Sequence, residues 1–298
     1  MTQPGHRSGF ACFVGRPNAG KSTLTNALVG QKVAIASSKP QTTRHAVRGI
    51  VHRPDAQLVL VDTPGLHKPR TLLGERLNAI VRETFANVDV VGFCVPADQP
   101  AGTGDRFIAR ELKELNTPVI AIVTKGDLVD PPRMREQLIA VSKLGDFAEV
   151  IPCSAVTSWQ VDLLADLLVE RLPEGPQLYP EGELTDEPEV VMVAELIREA
   201  ALEGVRDELP HSLAVLIDEM APREGKADLV DVHAVMYVER DSQKAIVIGK
   251  GGERLVDVGT RARKQIEALL GSRVYLDLRV KVAKDWQRDP KALRRLGF

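Results

Sequence analysis

Short apolar runs alternate with longer amphipathic stretches through the first half of the chain. Phe10–Val14, Gln57–Val61, Val88–Val95, Val119–Val123 and Glu149–Pro152 are mostly continuous apolar runs rather than alternating ones. That pattern predicts strands covered on both faces, as in a largely parallel sheet. Between them, Lys21–Val29, Gly74–Ala86, Thr103–Leu115 and Gln160–Arg171 place apolar residues at helical spacing. Strand and helix in alternation predict an α/β, doubly wound domain. The periodicity then stops at Pro173–Pro188 (PEGPQLYPEGELTDEP), which is rich in proline and acidic residues and reads as a linker. The order changes beyond it. A helix at Val190–Gly204, strands at Leu213–Asp218 and Asp231–Glu239, a short helix, a glycine break, a long helix Glu253–Leu270 and a strand Val274–Val282 predict a small α+β domain. The expected organisation is a first domain over residues 1–175, a linker over 176–188 and a second domain over 189–298.

Composition narrows this picture. The 298 residues are 44% hydrophobic but only 4% aromatic, so the cores must be aliphatic. No apolar run approaches the ~20 residues that a membrane-spanning helix needs, and the polar N-terminus reads as no secretory signal. Cys12, Cys94 and Cys153 lie far apart in apolar stretches, which argues against a disulfide scaffold and for a reducing cytoplasm. Charge is unevenly placed. From Arg240 onward there are 15 Lys+Arg against 7 Asp+Glu, a balance of +8, whereas the first 239 residues carry 24 against 34, a balance of −10. A basic end on an acidic chain suits a polyanionic partner; solvated helix faces would give the same count.

The chemistry starts at Gly15-Arg16-Pro17-Asn18-Ala19-Gly20-Lys21-Ser22, a match to G-x-x-x-x-G-K-[ST] with a strand leading in and a helix leading out. In such a loop the backbone N–H groups cradle phosphate oxygens, the lysine spans the β- and γ-phosphates, and the serine ligates Mg²⁺. Asp62-Thr63-Pro64-Gly65-Leu66 follows a second strand, where Asp62 can hold Mg²⁺ through water and the Gly65 N–H can sense the γ-phosphate. Thr124-Lys125-Gly126-Asp127 ends another. The Asp127 carboxylate can accept from guanine N1–H and the 2-amino group, donors that adenine lacks there, while Lys125 lays its alkyl stem along the base. Ser154-Ala155 would bring a backbone N–H to guanine O6. Each pattern is weak singly, but in this order at strand ends they point to a guanine nucleotide.

Taken together these motifs look like those of a translation-factor-class GTPase. Lys39-Pro-Gln-Thr-Thr-Arg-His45 resembles the effector loop of the Era family, in which one GTPase domain precedes a C-terminal KH domain. Val247-Ile-Gly-Lys-Gly-Gly-Glu-Arg254 is similar to a KH G-x-x-G loop, and the ending from Trp286 to Phe298 looks like the Era terminus. The resemblance covers almost the whole chain. It implies a P-loop GTPase domain followed by a type II KH domain, GTP/GDP and Mg²⁺ as cofactors, and a monomer that binds no DNA. The implied partner is the 3′ end of small-subunit (16S) ribosomal RNA, with a role in 30S subunit maturation and peripheral association with the inner face of the cell membrane. One position departs from the family's N-K-x-D motif: Thr124 stands where asparagine is usual, which puts nucleotide affinity in question.

For hydrolysis, Leu66 occupies the place of the water-orienting glutamine of Ras-type proteins and can neither donate nor accept a hydrogen bond. Thr43 is the expected second protein ligand to Mg²⁺, with Thr42 its rival. Asn18 lies where related GTPases hold K⁺; a turn-forming asparagine accounts for it equally well. His67, Lys68 and Arg70 follow in the switch II segment, where a solvated loop is the simpler reading. In the second domain, Gly249-Lys250-Gly251-Gly252 would clamp the backbone of single-stranded RNA, with Lys250 and Arg254 adding charge and Ile246 and Ile248 supporting a base groove. At least one of those isoleucines also suits a core. Three other readings are weaker. A degenerate RNA-binding protein would not need Lys21, Ser22, Asp62 and Gly65 intact, a tandem GTPase needs a second P-loop, and a P-loop ATPase or kinase gives no reason for Asp127.

Overall fold

The computed structural model describes residues 5–36, 43, 44, 46–66, 69, 71–203 and 212–297. They form two compact units, one carrying the elements up to residue 186 and the other those from residue 187 on.

The first unit is built on β1 (Arg7–Val14), β2 (Val47–Arg53), β3 (Ala56–Asp62), β4 (Val90–Pro96), β5 (Val119–Thr124) and β6 (Glu149–Pro152), in the order β2-β3-β1-β4-β5-β6. Every pairing is parallel except β2 with β3. Strands β3, β4 and β5 are buried along their full length, which is why their sequences run apolar without alternation. Successive residues of β1 feed two different cores. Ala11 and Phe13 pack with Leu24 and Leu28 of α1 (Lys21–Val29) and with Leu164 and Leu168 of α5 (Val161–Val169). Cys12 and Val14 pack on the other face with residues of α2 (Leu72–Phe85), α3 (Thr103–Lys113) and α4 (Pro131–Ser142). The doubly wound expectation is met. All phosphate- and base-binding motifs fall at the carboxyl ends of β1, β3, β5 and β6, where an open α/β sheet places its ligands.

Two elements escaped the periodicity. Strand β2 is interrupted by exposed Arg48 and by Gly49. A Cβ at Gly49 would stand 2.7 Å from a Val29 methyl, so glycine is what lets α1 approach this strand. Helix α4 opens on Pro131-Pro132, which reads as a break but here fills the first turn, where no proline N–H is needed; Asp130 caps it by accepting from the Arg133 amide at 2.9 Å.

The segment expected as a linker lies along the β2 side of the first unit. The carboxamide of buried Gln57 accepts from the Leu178 and Tyr179 amides at 2.7 and 2.9 Å and donates to the Tyr179 carbonyl at 2.9 Å. The Ile50 amide donates to the Leu184 carbonyl at 2.9 Å, and Asp186 accepts from Arg48 at 2.7 Å and from the Tyr179 hydroxyl at 2.8 Å. Gln57→Leu, close in size but unable to bond, should leave these backbone groups unpaired at a cost of ~1–3 kcal/mol. Chemical denaturation of the first unit and proteolytic cutting within residues 174–186 would measure the loss.

The second unit contains α6 (Glu189–Leu202), β7 (Ala214–Arg223), β8 (Lys226–Val238), α7 (Asp241–Ile248), α8 (Glu253–Leu270), β9 (Arg273–Val282) and α9 (Pro290–Arg295). Strand β7 pairs antiparallel with β8, and β8 pairs parallel with β9. A parallel neighbour requires a crossover, and α7 and α8 supply it. Val258, Ala262 and Ile266 are the buried stripe of α8, repeating every four residues. Trp286 is fully buried and donates its indole N–H to the Ser212 carbonyl at 2.9 Å. Among the described residues no helix is long and apolar enough to cross a membrane.

Candidate nucleotide and RNA sites

The phosphate loop joins β1 to α1. Its first glycine is required by space: a Cβ at Gly15 would lie 2.5 Å from the Cys94 carbonyl oxygen. Asn18 and Gly20 both take left-handed backbone, φ 62° and 88°, and turn the loop so that α1 begins at Lys21. Lys21 is buried and donates to the carbonyls of Gly15 and Arg16 at 3.3 and 3.3 Å. Burial pushes its ammonium down from the usual lysine range, against the pull of Asp62. The Arg16 side chain pairs with buried Asp105 at the start of α3, Nε to Oδ1 at 3.1 Å, so its guanidinium braces the loop against a neighbouring helix.

The structure brings three of the residues expected at the metal together. Ser22 donates to Asp62 Oδ2 at 2.7 Å, Thr43 donates to the same oxygen at 3.0 Å, and the two hydroxyls stand 2.9 Å apart. The other oxygen of Asp62, Oδ1, is buried without a hydrogen-bond partner. Burial raises the Asp62 carboxyl, opposed by Ser22 and by nearby Lys21. A buried carboxylate with one orphaned oxygen beside two hydroxyls fits a hard divalent cation with oxygen ligands. Thr63 anchors the strand end by donating to the Phe13 carbonyl at 2.8 Å. Gly65 lies against the phosphate loop, where a Cβ would stand 2.9 Å from the Pro17 nitrogen. Leu66 is 2% exposed and belongs to the core beneath α2. Of the effector segment 39–45 only Thr43 and Arg44 are described; Thr42, like His67, Lys68 and Arg70, lies outside the described residues.

The base motifs line a cavity of about 260 Å³ whose wall includes Gly20, Thr124, Lys125, Asp127 and Ala155. Ser154 donates to Asp127 Oδ1 at 2.6 Å and so fixes the carboxylate. The Gly126 amide donates to the Cys153 carbonyl at 3.0 Å, tying the two base loops together. Lys125, with left-handed backbone, pairs with Asp98 at 3.3 Å, a partner that no motif announced. Buried Thr124, which departs from the family's asparagine, donates to the Ala19 carbonyl of the phosphate loop at 2.7 Å and so ties the base motif to that loop. Thr124→Val should lose that tie and leave a buried carbonyl unpaired, weakening GDP binding roughly five- to ten-fold, about 1 kcal/mol. Titration of GDP against both proteins measures it.

In the second unit, Gly249, Gly251 and Gly252 all have positive φ, 75°, 61° and 84°, with Gly251 and Gly252 in the left-handed region. They form a tight turn between α7 and α8, with Lys250 exposed at its tip. A Cβ at Gly249 would press to 2.7 Å from Arg254 Cβ. The core residue beside the loop is Val247, at 1% exposure, whereas Ile246 is 53% exposed and Ile248 half-buried. Val256, on α8, is 69% exposed and was not anticipated; it flanks the same loop as Ile246. Arg254, expected to add charge beside the loop, is also held within the fold. Its guanidinium donates to the Ala201 and Glu203 carbonyls at 3.1 and 2.9 Å, capping the end of α6, because the first turn of α8 lies beside those unpaired carbonyls.

Known proteins agree with this geometry. Residues 10–125 match the model of a family described as 50S ribosome-binding GTPase, and residues 208–287 match the KH domain model. The GTPase Era of Streptomyces coelicolor is 71% identical over 98% of this chain and 95% of its own length. The GTPase Era of Mycobacterium avium is 68% identical over 98% of this chain and 99% of its own. Among solved structures, Aquifex aeolicus Era bound to GDP and AlF4⁻ superposes with a TM-score of 0.94 at 36% identity, over 98% of this chain and 99% of that one. An Era in complex with MgGDPNP and nucleotides 1506–1542 of 16S ribosomal RNA superposes with a TM-score of 0.94 at 37% identity, with the same coverage. With a P-loop GTPase unit, a KH unit and this degree of identity along nearly its whole length, the chain belongs to the Era family of GTPases.

Proposed function

We propose that this GTPase is a Mg²⁺-dependent switch that binds the 3′ end of small-subunit ribosomal RNA through its KH domain and assists maturation of the 30S subunit. The observation that carries the switch is the meeting of Thr43 with Ser22 on Asp62. Thr43 belongs to the effector segment, so a ligand that draws on its hydroxyl also sets the position of that segment. Ser22 and Thr43 would hold Mg²⁺, which supplies charge to offset the phosphates, while Lys21 spans the β- and γ-phosphates and Asp127 reads guanine. The relative bound to MgGDPNP and 16S nucleotides supports both the metal and the RNA. Exposed Ile246 and Val256 beside a glycine turn support single-stranded bases as the ligand, because exposed apolar groups next to a phosphate-accepting backbone suit stacking and clamping together.

With Leu66 buried, no side chain at that position orients water, so hydrolysis by the protein alone should be slow. Asn18 is the proposed ligand for K⁺, although its left-handed backbone by itself accounts for an asparagine there. The test is twofold: RNA affinity in GDP and in a non-hydrolysable GTP analogue, and hydrolysis in K⁺ and in Na⁺. GTP-state binding tighter by roughly five-fold or more is the expected result, a coupling of ~1–3 kcal/mol. Equal RNA affinities would remove the switch, and equal rates in the two salts would remove Asn18 as an ion ligand.

A further inference from the structure

We propose that Trp159 is a positioning residue for guanine recognition, one that sets the Asp127 carboxylate by gripping both base loops at once. This rests on reading the Asp127 cavity as the guanine site. Trp159 lies in none of the guanine-nucleotide motifs. It follows Ser154-Ala155 in the loop between β6 and α5, and its main chain closes that loop: the Ser154 amide donates to the Trp159 carbonyl at 3.0 Å. Ser154 in turn holds Asp127 through its hydroxyl at 2.6 Å. The side chain reaches the other base loop. A Cβ built on Gly126 would stand 2.6 and 3.0 Å from ring carbons Cζ3 and Cε3 of the indole, and 3.2 Å from the Met134 methyl. The indole therefore fills the space that glycine leaves open, one residue before Asp127. Contacts on either side of the carboxylate, one through Ser154 and one through Gly126, come from a single residue.

Two further observations set Trp159 apart from core filling. It is 43% exposed, so burial alone does not explain a large aromatic at this position. The residues on either side, Ser158 and Gln160, both take left-handed backbone at φ 57° and 57°, a conformation costly for non-glycine residues. Gly126 itself has no left-handed backbone. Its lack of a side chain is thus a requirement of the indole above it and not of the turn.

The experiment compares wild type, Trp159→Ala, Trp159→Phe, Gly126→Ala and the double variant Gly126→Ala/Trp159→Ala in the full-length protein. Steady-state GTP and ITP hydrolysis and GDP titration are the readouts. ITP lacks the 2-amino group that Asp127 accepts from. Trp159→Ala should raise KM for GTP and Kd for GDP roughly three- to ten-fold, the size of a lost aromatic contact, with kcat retained. The preference for GTP over ITP should fall by a similar factor, which a loss of stability alone would not change, and Trp159→Phe should restore most of it. Gly126→Ala should weaken binding with Trp159 present and add little once Trp159 is alanine, because the clash partner is gone. Unchanged KM and GTP/ITP preference in Trp159→Ala, or additive effects in the double variant, would overturn the proposal. A wild type that bound ATP as tightly as GTP would overturn instead the guanine reading on which it rests.

Discussion

Replacing Asp127 by asparagine is expected to weaken GTP and GDP binding by roughly ten- to a hundred-fold and to admit xanthosine nucleotides. The carboxylate offers guanine two acceptors; asparagine turns one of them into a donor, which xanthine, with a carbonyl at position 2, can use. A charge-assisted hydrogen bond to a buried base contributes ~1.5–3 kcal/mol, which sets the range. The effect should not be diluted by side-chain freedom, because Ser154 already holds the group through a 2.6 Å bond and the Gly126–Cys153 backbone bond fixes the loop. Competition titrations with GDP, XDP and ADP measure all three affinities. Undiminished GDP affinity in the variant would remove Asp127 from base recognition.

The second large effect is expected at the glycine turn of the KH unit. Gly251→Asp should abolish RNA binding and leave nucleotide affinity nearly unchanged. Its φ of 61° lies in the left-handed region, which aspartate tolerates better than most side chains, and a Cβ there meets nothing within 4 Å. The variant should therefore fold, and the loss should come from a negative charge placed where phosphate must approach. Lys250→Asp, at the exposed neighbouring position, should act in the same direction. Wild-type affinity should also fall steeply between low and physiological salt, since each phosphate contact releases counterions. Filter binding of a single-stranded small-subunit rRNA fragment across a salt series tests both statements. Salt-insensitive binding, or RNA retained by Gly251→Asp, would move the RNA site elsewhere.

Cys12, Cys94 and Cys153 are free and buried, and burial pushes each thiol up, Cys153 to about 11.

Much of this was legible in the residues themselves, where the information is local. A phosphate loop announces itself because its glycines, lysine and serine must be contiguous. Buried parallel strands do so because both faces demand apolar side chains; β1, β3, β4 and β5 were found this way, and edge strand β6 from its short Val150-Ile151 run. The KH turn was visible as a contiguous G-x-x-G pattern similar to that of KH loops. What the tertiary structure decided are pairings between positions far apart in the chain. Strand β2 exists because β3 and the Leu184 carbonyl offer it partners, and no pattern within Val47–Arg53 contains them. Thr124 keeps the tie to the phosphate loop because the Ala19 carbonyl, 105 residues earlier, lies 2.7 Å from its hydroxyl. Asp105 holds the Arg16 Nε from 89 residues away, and the end of α6 holds the guanidinium of Arg254, partners that no local pattern names. Trp159 gained its place beside Gly126 only through the loops that folding brought together. Local conformational demands are written in consecutive residues, whereas a hydrogen bond or contact across the fold depends on which groups the packing leaves unpaired, and that is settled only when the elements meet.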